Sequence, residues 1–273
     1  MSSAQKSVPD LTIGFFGVGI MGEALLAGCI TAGIAPERIS FSEKRDDRAE
    51  EISIKYGARR AATPEIAAEC DVVMLVVKPQ DLGDLLTDLG TTLPAKSLVV
   101  SFAAGKTTNF IESKLNPGIS VIRVMPNTPL LIGKGMSVLS AGSHADQEQL
   151  DLISSLLAAS GEVVQIAEAL QDAVTAVSGS GPAYFFAFVE AMVKGGVELG
   201  LSAEIATQLT IQTLVGAAGM LVETKKSATT LRENVTSPNG TTAAALKTFS
   251  EGQLDALVAK SMRAARDRSQ ELA

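Results

Sequence analysis

A glycine-rich turn between a short apolar segment and an apolar helix constrains the fold of this chain more than any other feature. The turn reads Gly17-Val18-Gly19-Ile20-Met21-Gly22 and follows an apolar run from Leu11 to Phe16. Gly17 permits a tight turn, Gly19 lets the backbone approach a pyrophosphate, and Gly22 lets the helix pack close to the strand. The pattern predicts the first strand, turn and helix of a dinucleotide-binding fold rather than an ordinary strand-to-helix turn.

Residues of both charge signs follow the second predicted strand, in the segment Ser42-Glu43-Lys44-Arg45. A residue that reads the cofactor ribose is expected roughly 20 residues beyond the glycine turn. Glu43 could bind a ribose 2′-hydroxyl, whereas Ser42, Lys44 and Arg45 could hold a 2′-phosphate. We favour NADPH as the cofactor and keep NADH as the alternative.

Apolar strands alternate with helices as far as Ile166. The strand predicted from Asp71 to Val77 is almost wholly apolar, as expected for a strand covered on both faces. The alternation predicts an α/β fold with a doubly wound, mostly parallel sheet of the Rossmann type. Ligands of such sheets bind beyond the carboxyl ends of the strands, which here are expected at Gly17, Ser42, Lys78, Ala103 and Met125.

Helices replace strands from about Ala167. The helix predicted from Pro182 to Gly200 is apolar or small on most sides, so it must be buried on most sides. Helices this apolar cannot shield one another, and we predict that a second subunit covers them; a self-contained bundle is the alternative. We therefore divide the chain into a dinucleotide-binding domain over residues 1–166 and an all-α dimerisation and substrate-binding domain over residues 167–273.

Charge and composition exclude several classes of function. The net charge of -7 argues against nucleic-acid binding. His144 is the only histidine and lies in a predicted loop, so neither a Ser-His-Asp triad nor a His-rich metal site is expected. Cys29 and Cys70 lack metal-ligand spacing and are predicted to be buried, reduced thiols. Because glycines and Glu23 interrupt the one long apolar stretch, we predict a cytoplasmic protein without a targeting segment or transmembrane helix.

A turn rich in hydroxyl groups precedes a predicted helix near the end of the chain, between Asn234 and Thr242. Its hydroxyl and amide side chains could simply cap the helix. Alternatively, hydroxyls and backbone N–H groups at a helix N-terminus could hold a small carboxylate. Further on, Ser250 and Gln253 are predicted to form a capping box for the final helix.

Five segments in one order reveal a resemblance to a known family. They are the glycine turn, Val77-Lys78-Pro79-Gln80, Arg123 to Pro129, Ser178 to Tyr184, and Asn234 to Thr242. With them the chain resembles pyrroline-5-carboxylate reductase over essentially its whole length. The resemblance implies reduction of 1-pyrroline-5-carboxylate to L-proline with NAD(P)H, in a homodimer that can assemble further into a decamer. The family often carries an Asn near the adenosine side of the cofactor, where this chain has Thr63-Pro64.

The resemblance also implies site residues. Ser237, Gly240, Thr241 and Thr242 are expected to hold the substrate carboxylate, with Thr242 nearest the ring nitrogen. Since the cofactor supplies the hydride, no strong base is required, and we hypothesise that Thr242 orients the imine and relays the proton. The expected cofactor-binding residues are Gly17, Gly19, Ile20, Met21, Gly22, Ser42, Lys44, Arg45, Val76, Lys78, Pro79, Ala103, Ala104, Gly105 and Asn127.

Two other functions remain open. A β-hydroxyacid dehydrogenase or another imine reductase also joins this glycine turn to a helical domain, but hydroxyacid members use a Lys soon after a glycine-rich segment. Here the first Lys after Ser178-Gly179-Ser180-Gly181-Pro182 is the distant Lys194. A cofactor-binding regulator without turnover is the second alternative, and the hydroxyls from Ser237 to Thr242 argue against it.

Overall fold

The computed structural model describes residues 10–90 and 92–272, which contain an eight-stranded sheet. Its strands are β1 (Ile13–Phe16), β2 (Ile39–Ser42), β3 (Arg59–Arg60), β4 (Val72–Leu75), β5 (Leu98–Ser101), β6 (Ser120–Met125), β7 (Gly135–Ala141) and β8 (Gly161–Gln165). The spatial order is β3-β2-β1-β4-β5-β6-β7-β8, and only β6 and β7 pair antiparallel. The first six strands follow the order of a dinucleotide-binding sheet. The predicted doubly wound, mostly parallel sheet is confirmed.

Helices connect these strands, and local signals set several of their ends. The helices α3 and α4 have proline near their first turn, where the missing N–H costs nothing. Gly57, at φ 73°, ends α2 in the left-handed conformation that glycine accepts most readily. The helices are α1 (Ile20–Thr31), α2 (Asp46–Tyr56), α3 (Thr63–Glu69), α4 (Pro79–Leu89), α5 (Thr108–Glu112), α6 (Gln147–Leu157) and α7 (Gln171–Val174).

Two apolar cores cover the two faces of the sheet. Phe15 and Phe41 belong to one core, whereas Phe16 and Leu75 belong to the other. Neighbouring residues of a strand point to opposite faces, so Phe15 and Phe16 are both buried, on opposite sides. This double burial explains why the central strands read as continuous apolar runs.

The second half of the chain is helical, with α8 (Gly181–Glu198), α9 (Ala203–Thr224), α10 (Ala228–Asn234), α11 (Thr241–Glu251) and α12 (Leu254–Glu271). Ser202 caps α9 by accepting a hydrogen bond from the Ile205 N–H. Large apolar side chains on these helices are exposed in the single chain, among them Phe185, Phe186 and Val222. A chain with this much exposed apolar helix needs a covering partner.

The chain forms two compact units by its internal contacts. One unit runs through Ser180 and also includes the chain from Ala265 onward, and the other comprises Gly181–Ala264. The helix α12 therefore belongs to both units. The predicted division between residues 166 and 167 stays a prediction.

One described helix, α9, is long and apolar enough by length and composition to cross a membrane. Only 11% of its most apolar window is buried within the chain. Length and composition alone do not separate a membrane span from a helix that packs against protein, so α9 by itself assigns no location.

Two local features differ from the sequence expectations. The predicted capping box of Ser250 and Gln253 is wrong, because α11 continues through Ser250 and Gln253 takes a positive φ of 54°. The Gln253 N–H instead donates to the Ser250 carbonyl over 3.0 Å. The second feature is a π-helical turn at Thr175–Gly179, in the segment read only as a glycine-rich junction.

Candidate cofactor and substrate sites

The glycine turn has the geometry that its sequence predicts. Gly17 has a φ of 93°, and its N–H donates to the Ser42 carbonyl at the end of β2 over 3.0 Å. A Cβ on Gly22 would lie 2.2 Å from the Gly17 carbonyl oxygen, so this position requires glycine for close packing. Nothing lies within 4 Å of a Cβ built on Gly19, which leaves open the space that a pyrophosphate would occupy.

Two charged residues hold the Val18 peptide in the middle of this turn. Its N–H donates to Glu43 Oε2 over 3.3 Å, and its carbonyl accepts from Arg48 Nε over 3.0 Å. Glu43 also accepts from the Arg45 N–H over 3.1 Å. The turn is therefore anchored to the end of β2 and to α2 without a ligand.

A cluster of charged groups stands behind the turn, centred on Glu23 in the first turn of α1. Glu23 accepts hydrogen bonds from Lys55 Nζ at 2.8 Å, Tyr56 Oη at 2.9 Å and Arg48 Nη2. Burial acts to raise the pKa of Glu23, but hydrogen bonds from Lys55, Arg48 and Tyr56 outweigh it and lower the pKa to about 2. Glu23 is thus an anion whose charge is balanced by Arg48 and Lys55.

A cleft of about 390 Å³ lies at the carboxyl ends of β1, β2 and β4, where the fold predicts a ligand. Thr63, which belongs to the Thr63-Pro64 pair found where the family often carries an Asn, also lines this cleft. Three aspartates of α4 that the sequence reading missed form part of its wall, Asp81, Asp84 and Asp88. Their spacing of three and four residues on one helix face was the available signal. The predicted cofactor residues that line the cleft are Gly17, Gly19, Ser42, Lys44, Val76 and Lys78.

The remaining predicted residues of the glycine turn and of the β4 end lie beside this cleft rather than along it. Ile20 is exposed, Met21 packs against the core of the sheet, and Gly22 is buried behind Gly17. Pro79 occupies the first position of α4, next to the exposed Lys78. These residues shape the turn and the helix start.

The arginines near the predicted 2′-phosphate site are already paired. Arg45 lies against Asp47, with Nη2 2.6 Å from Oδ2, and this hydrogen bond raises the pKa of Arg45. The sequence reading missed Arg60, which donates to the Glu43 carbonyl over 3.0 Å and contacts Asp46 at 2.8 Å. Lys44, by contrast, is exposed and lines the cleft.

Two further predicted cofactor segments follow β5 and β6. Ala103 and Gly105 are buried and Ala104 is half-buried in the loop after β5. The amide of Asn127 donates to the Ser178 hydroxyl over 3.2 Å and accepts from the Met136 N–H over 2.8 Å. Asn127 thus ties the chain after β6 to the π-helical turn and to β7.

The predicted substrate-binding residues lie together in the helical unit, at the N-terminus of α11. The Gly240 N–H donates to the Ser237 carbonyl over 3.0 Å, and a Cβ on Gly240 would lie 2.4 Å from Ser237 Oγ. Gly240 is the N-cap residue of α11 and, as a glycine, supplies no side-chain cap to the helix. Thr241 and Thr242 occupy the first two positions of the helix, where N–H groups lack intrahelical partners and favour an anion.

The loop position of His144 and the burial of both cysteines agree with the predictions from the sequence. His144 is exposed in the loop before α6. Cys29 and Cys70 are unpaired and buried. Across residues 10–90 and 92–272, no cluster of His, Cys, Asp and Glu is arranged to hold a metal ion.

Comparison with known proteins identifies both parts of the chain. A family model described as pyrroline-5-carboxylate reductase dimerisation matches residues 168–272. A second, described as NADP oxidoreductase coenzyme F420-dependent, matches residues 12–105. The chain is 42% identical to a pyrroline-5-carboxylate reductase of Corynebacterium melassecola, over 96% of this chain and 98% of that relative.

Solved structures of pyrroline carboxylate reductases have the same fold as this chain. A pyrroline-5-carboxylate reductase of Coxiella burnetii has a TM-score of 0.90 at 36% identity, covering 97% of this chain and 99% of that one. The Plasmodium falciparum pyrroline carboxylate reductase with NADP bound has a TM-score of 0.86 at 27% identity, covering 96% and 98%. The resemblance read from the sequence is confirmed, and this chain belongs to the pyrroline-5-carboxylate reductase family.

Proposed function

We propose that this chain reduces 1-pyrroline-5-carboxylate to L-proline by hydride transfer from NAD(P)H. The observation that carries the proposal is that a single relative of this name matches 96% of the chain, a span that includes both the glycine turn and the start of α11. The cleft beside an anchored glycine turn suits a dinucleotide. The N-terminus of α11 suits the substrate carboxylate.

In this proposal, the start of α11 binds and orients the imine. The substrate carboxylate is held by the backbone N–H groups that follow Gly240 at the start of α11 and by the hydroxyls of Ser237 and Thr241. Thr242 places its hydroxyl at the ring nitrogen. A hydrogen bond or proton on that nitrogen leaves the carbon of the C=N bond electron-poor. The reduced nicotinamide, when bound, supplies the hydride. Positioning and one hydroxyl donor suffice, in keeping with the exposed loop position of His144.

We assign the parts of the cofactor to different segments of the chain. Gly17, Gly19 and the start of α1 are proposed to receive the pyrophosphate, and Ala103–Gly105 to meet the nicotinamide. Lys44 and Ser42 are proposed to favour NADPH, with Arg45 recruited from its exposed pair with Asp47. The NADP-bound Plasmodium falciparum relative supports the use of a phosphorylated cofactor.

The assembly proposal follows from the apolar helices. We propose a homodimer in which a second copy covers α8 and α9, supported by the dimerisation description of the matching family model. We further propose that five such dimers form a decamer and that the protein is cytoplasmic. We also propose a domain boundary between residues 166 and 167, which is supported by the family model that matches from residue 168.

Steady-state kinetics test the function. The purified protein is mixed with pyrroline-5-carboxylate and NADPH, then NADH, while loss of reduced-cofactor absorbance is followed and the product is identified. Proline formation with a higher catalytic efficiency for NADPH is expected. Tight cofactor binding without turnover would instead favour a regulator, and turnover of other imines alone would favour another reductase.

A variant pair tests the role of Thr242. Thr242→Ala is expected to lower kcat at least tenfold, because it removes the proposed donor to the ring nitrogen. Thr248→Ala is the control, since that hydroxyl donates only to the Ala244 carbonyl of its own helix. Unaltered turnover and substrate affinity in Thr242→Ala would remove Thr242 from the mechanism.

A further inference from the structure

Arg123 is a buried cation on β6 that two carboxylates share. Its side chain is 3% exposed, with Nη1 3.6 Å from Glu168 Oε1 and Nη2 3.6 Å from Asp172 Oδ1. A buried guanidinium needs compensating charge, so Glu168 and Asp172 are held close to it. Both carboxylates also accept hydrogen bonds from other parts of the chain, and these hydrogen bonds connect Arg123 to two further segments.

Glu168 contacts the segment that follows the Ala103–Gly105 loop, which the proposed function assigns to the nicotinamide. Its carboxylate accepts from the Thr108 N–H over 2.5 Å and from the Thr108 hydroxyl over 2.7 Å. Thr108 begins α5, three positions after Gly105. The Arg123–Glu168 pair therefore fixes the exit of the Ala103–Gly105 loop.

Asp172 holds the last turns of α12. Its Oδ1 accepts from the Ser269 hydroxyl over 2.7 Å, and Ser269 is 3% exposed. Hydrogen bonds to charged groups are stronger than those between neutral groups. The same guanidinium thus organises both the loop after β5 and residues close to the end of the described chain.

These two segments also meet directly at Gly105. Gly105 has a φ of 76°, and a Cβ there would lie 2.7 Å from Leu272 Cβ and 3.0 Å from the Ser269 carbonyl oxygen. The end of α12 therefore packs on the backbone of the loop, with no room for a side chain between them.

We propose that the last turn of α12 and the residue that follows it, Leu272, form a positioning element for the cofactor. Ser269, through Asp172, and Leu272, through Gly105, hold the Ala103–Gly105 loop ready for the nicotinamide. The proposal rests on the proposed function, which assigns that loop to the cofactor. Ser269 and Arg123 are positioning residues, because neither lines the cofactor cleft and each acts through a carboxylate.

The physical consequence concerns affinity rather than chemistry. A loop that is ordered before binding costs no ordering entropy when the cofactor arrives. If the contact from α12 is weakened, the cofactor must order the loop itself, so its dissociation constant rises. Once the cofactor is bound, the loop regains its position and kcat at saturation is retained.

The test compares Ser269→Ala with a chain ending at Arg268 and with the control Ser261→Ala. Ser261 lies on the same helix, is exposed, and donates only to the Leu257 carbonyl of its own helix. We expect Ser269→Ala to raise the NADPH dissociation constant and cofactor KM about fivefold, with kcat and the KM for pyrroline-5-carboxylate within twofold. The shortened chain is expected to show a larger increase. Hydrogen exchange of the amides from Ala103 to Thr108 is expected to quicken in both variants and not in the control.

The outcomes separate this proposal from the proposed function. Absence of proline formation by the parent chain would overturn the function itself. Normal turnover by the parent chain, with cofactor affinity and loop exchange unchanged in Ser269→Ala, would overturn the positioning role alone. A fall in kcat with unchanged cofactor KM would also overturn it, because that result indicates a loss of folded enzyme. Ser269→Ala keeps the test valid if the shortened chain does not fold.

Discussion

Arg48 on α2 donates a hydrogen bond from Nε to the carbonyl of Val18, in the centre of the glycine turn, over 3.0 Å. The same guanidinium contacts Glu23 at the start of α1. One side chain therefore connects the turn, the helix behind it and α2. Glycine turns are flexible in unfolded chains, and such a contact holds this turn in the conformation proposed to bind a pyrophosphate.

Arg48→Met is expected to weaken both stability and cofactor binding. It removes hydrogen bonds to a charged group and leaves Glu23 less compensated, so the free energy of unfolding should fall by about 2 kcal/mol. The NADPH dissociation constant should rise several-fold because the turn is less ordered. Urea unfolding at fixed protein concentration and cofactor titration measure the two effects. Arg59→Met, which removes exposed ion pairs to Glu65 and Glu69, should cost less than about 1 kcal/mol and leave NADPH binding unchanged.

Glu23 should make the stability of the protein fall in acid. Its pKa is lowered from 4.5 to about 2 in the folded chain. A group with a lowered folded pKa stabilises the fold fully above its unfolded pKa, and this contribution is lost as the pH falls from about 4.5 towards 2. The difference in urea midpoint between the parent chain and Glu23→Gln should shrink across that interval. A difference that is constant from pH 7 to pH 2.5 would contradict the assigned ion cluster.

Two glycine substitutions should separate folding from cofactor binding. Gly19→Ala has space for its Cβ and a φ of -62° that alanine accepts, so its thermal unfolding should change little. Its NADPH affinity should fall at least tenfold, since the methyl group enters the proposed pyrophosphate space. Gly22→Ala forces a Cβ to within 2.2 Å of the Gly17 carbonyl and should lose both stability and binding. Normal NADPH binding by Gly19→Ala would place the pyrophosphate elsewhere.

Both thiols should be unreactive in the folded protein. Burial raises the pKa of Cys29 to about 12 and that of Cys70 to about 11. Because the thiolate is the reactive form, alkylation by iodoacetamide at pH 8 should be slow until the chain unfolds. Mass spectrometry with and without urea measures the modified fraction. Rapid labelling of Cys29 in the native protein would show that its burial opens readily.

Local signals were sufficient for most of the sheet unit. The predicted alternation of apolar strands with helices as far as Ile166 agrees with the structure, since each strand and helix is marked by residues close in sequence. The continuous apolar run from Asp71 to Val77 identified β4, because both faces of this strand are buried. The predicted capping box of Ser250 and Gln253 was wrong because it rested on local spacing alone. Its spacing matches the motif, but α11 runs through Ser250 to Glu251, so Ser250 lies inside a helix rather than before one.

Contacts distant in sequence were the part that could not be predicted. Nothing near Arg123 indicates that it lies between Glu168 and Asp172, and nothing near Ser269 indicates that its hydroxyl meets Asp172. Arg45 illustrates the same limit within the candidate site. Its position after β2 predicts a phosphate contact, whereas its side chain pairs with Asp47. Sequence position assigns a residue to an edge of the sheet, but side-chain partners depend on the packing of several elements.

The return of α12 to the sheet unit sets an order for the synthesis of the protein. Residues up to Ser180 emerge from the ribosome first, yet the unit they form also includes the chain from Ala265 onward. The intervening helices must be made before Leu272 can reach Gly105. Domains that are contiguous in sequence can fold as they emerge. Here the nascent sheet unit stays incomplete until the helical unit has been translated, so the Ala103–Gly105 loop gains its contact with Leu272 only after α12 has been made.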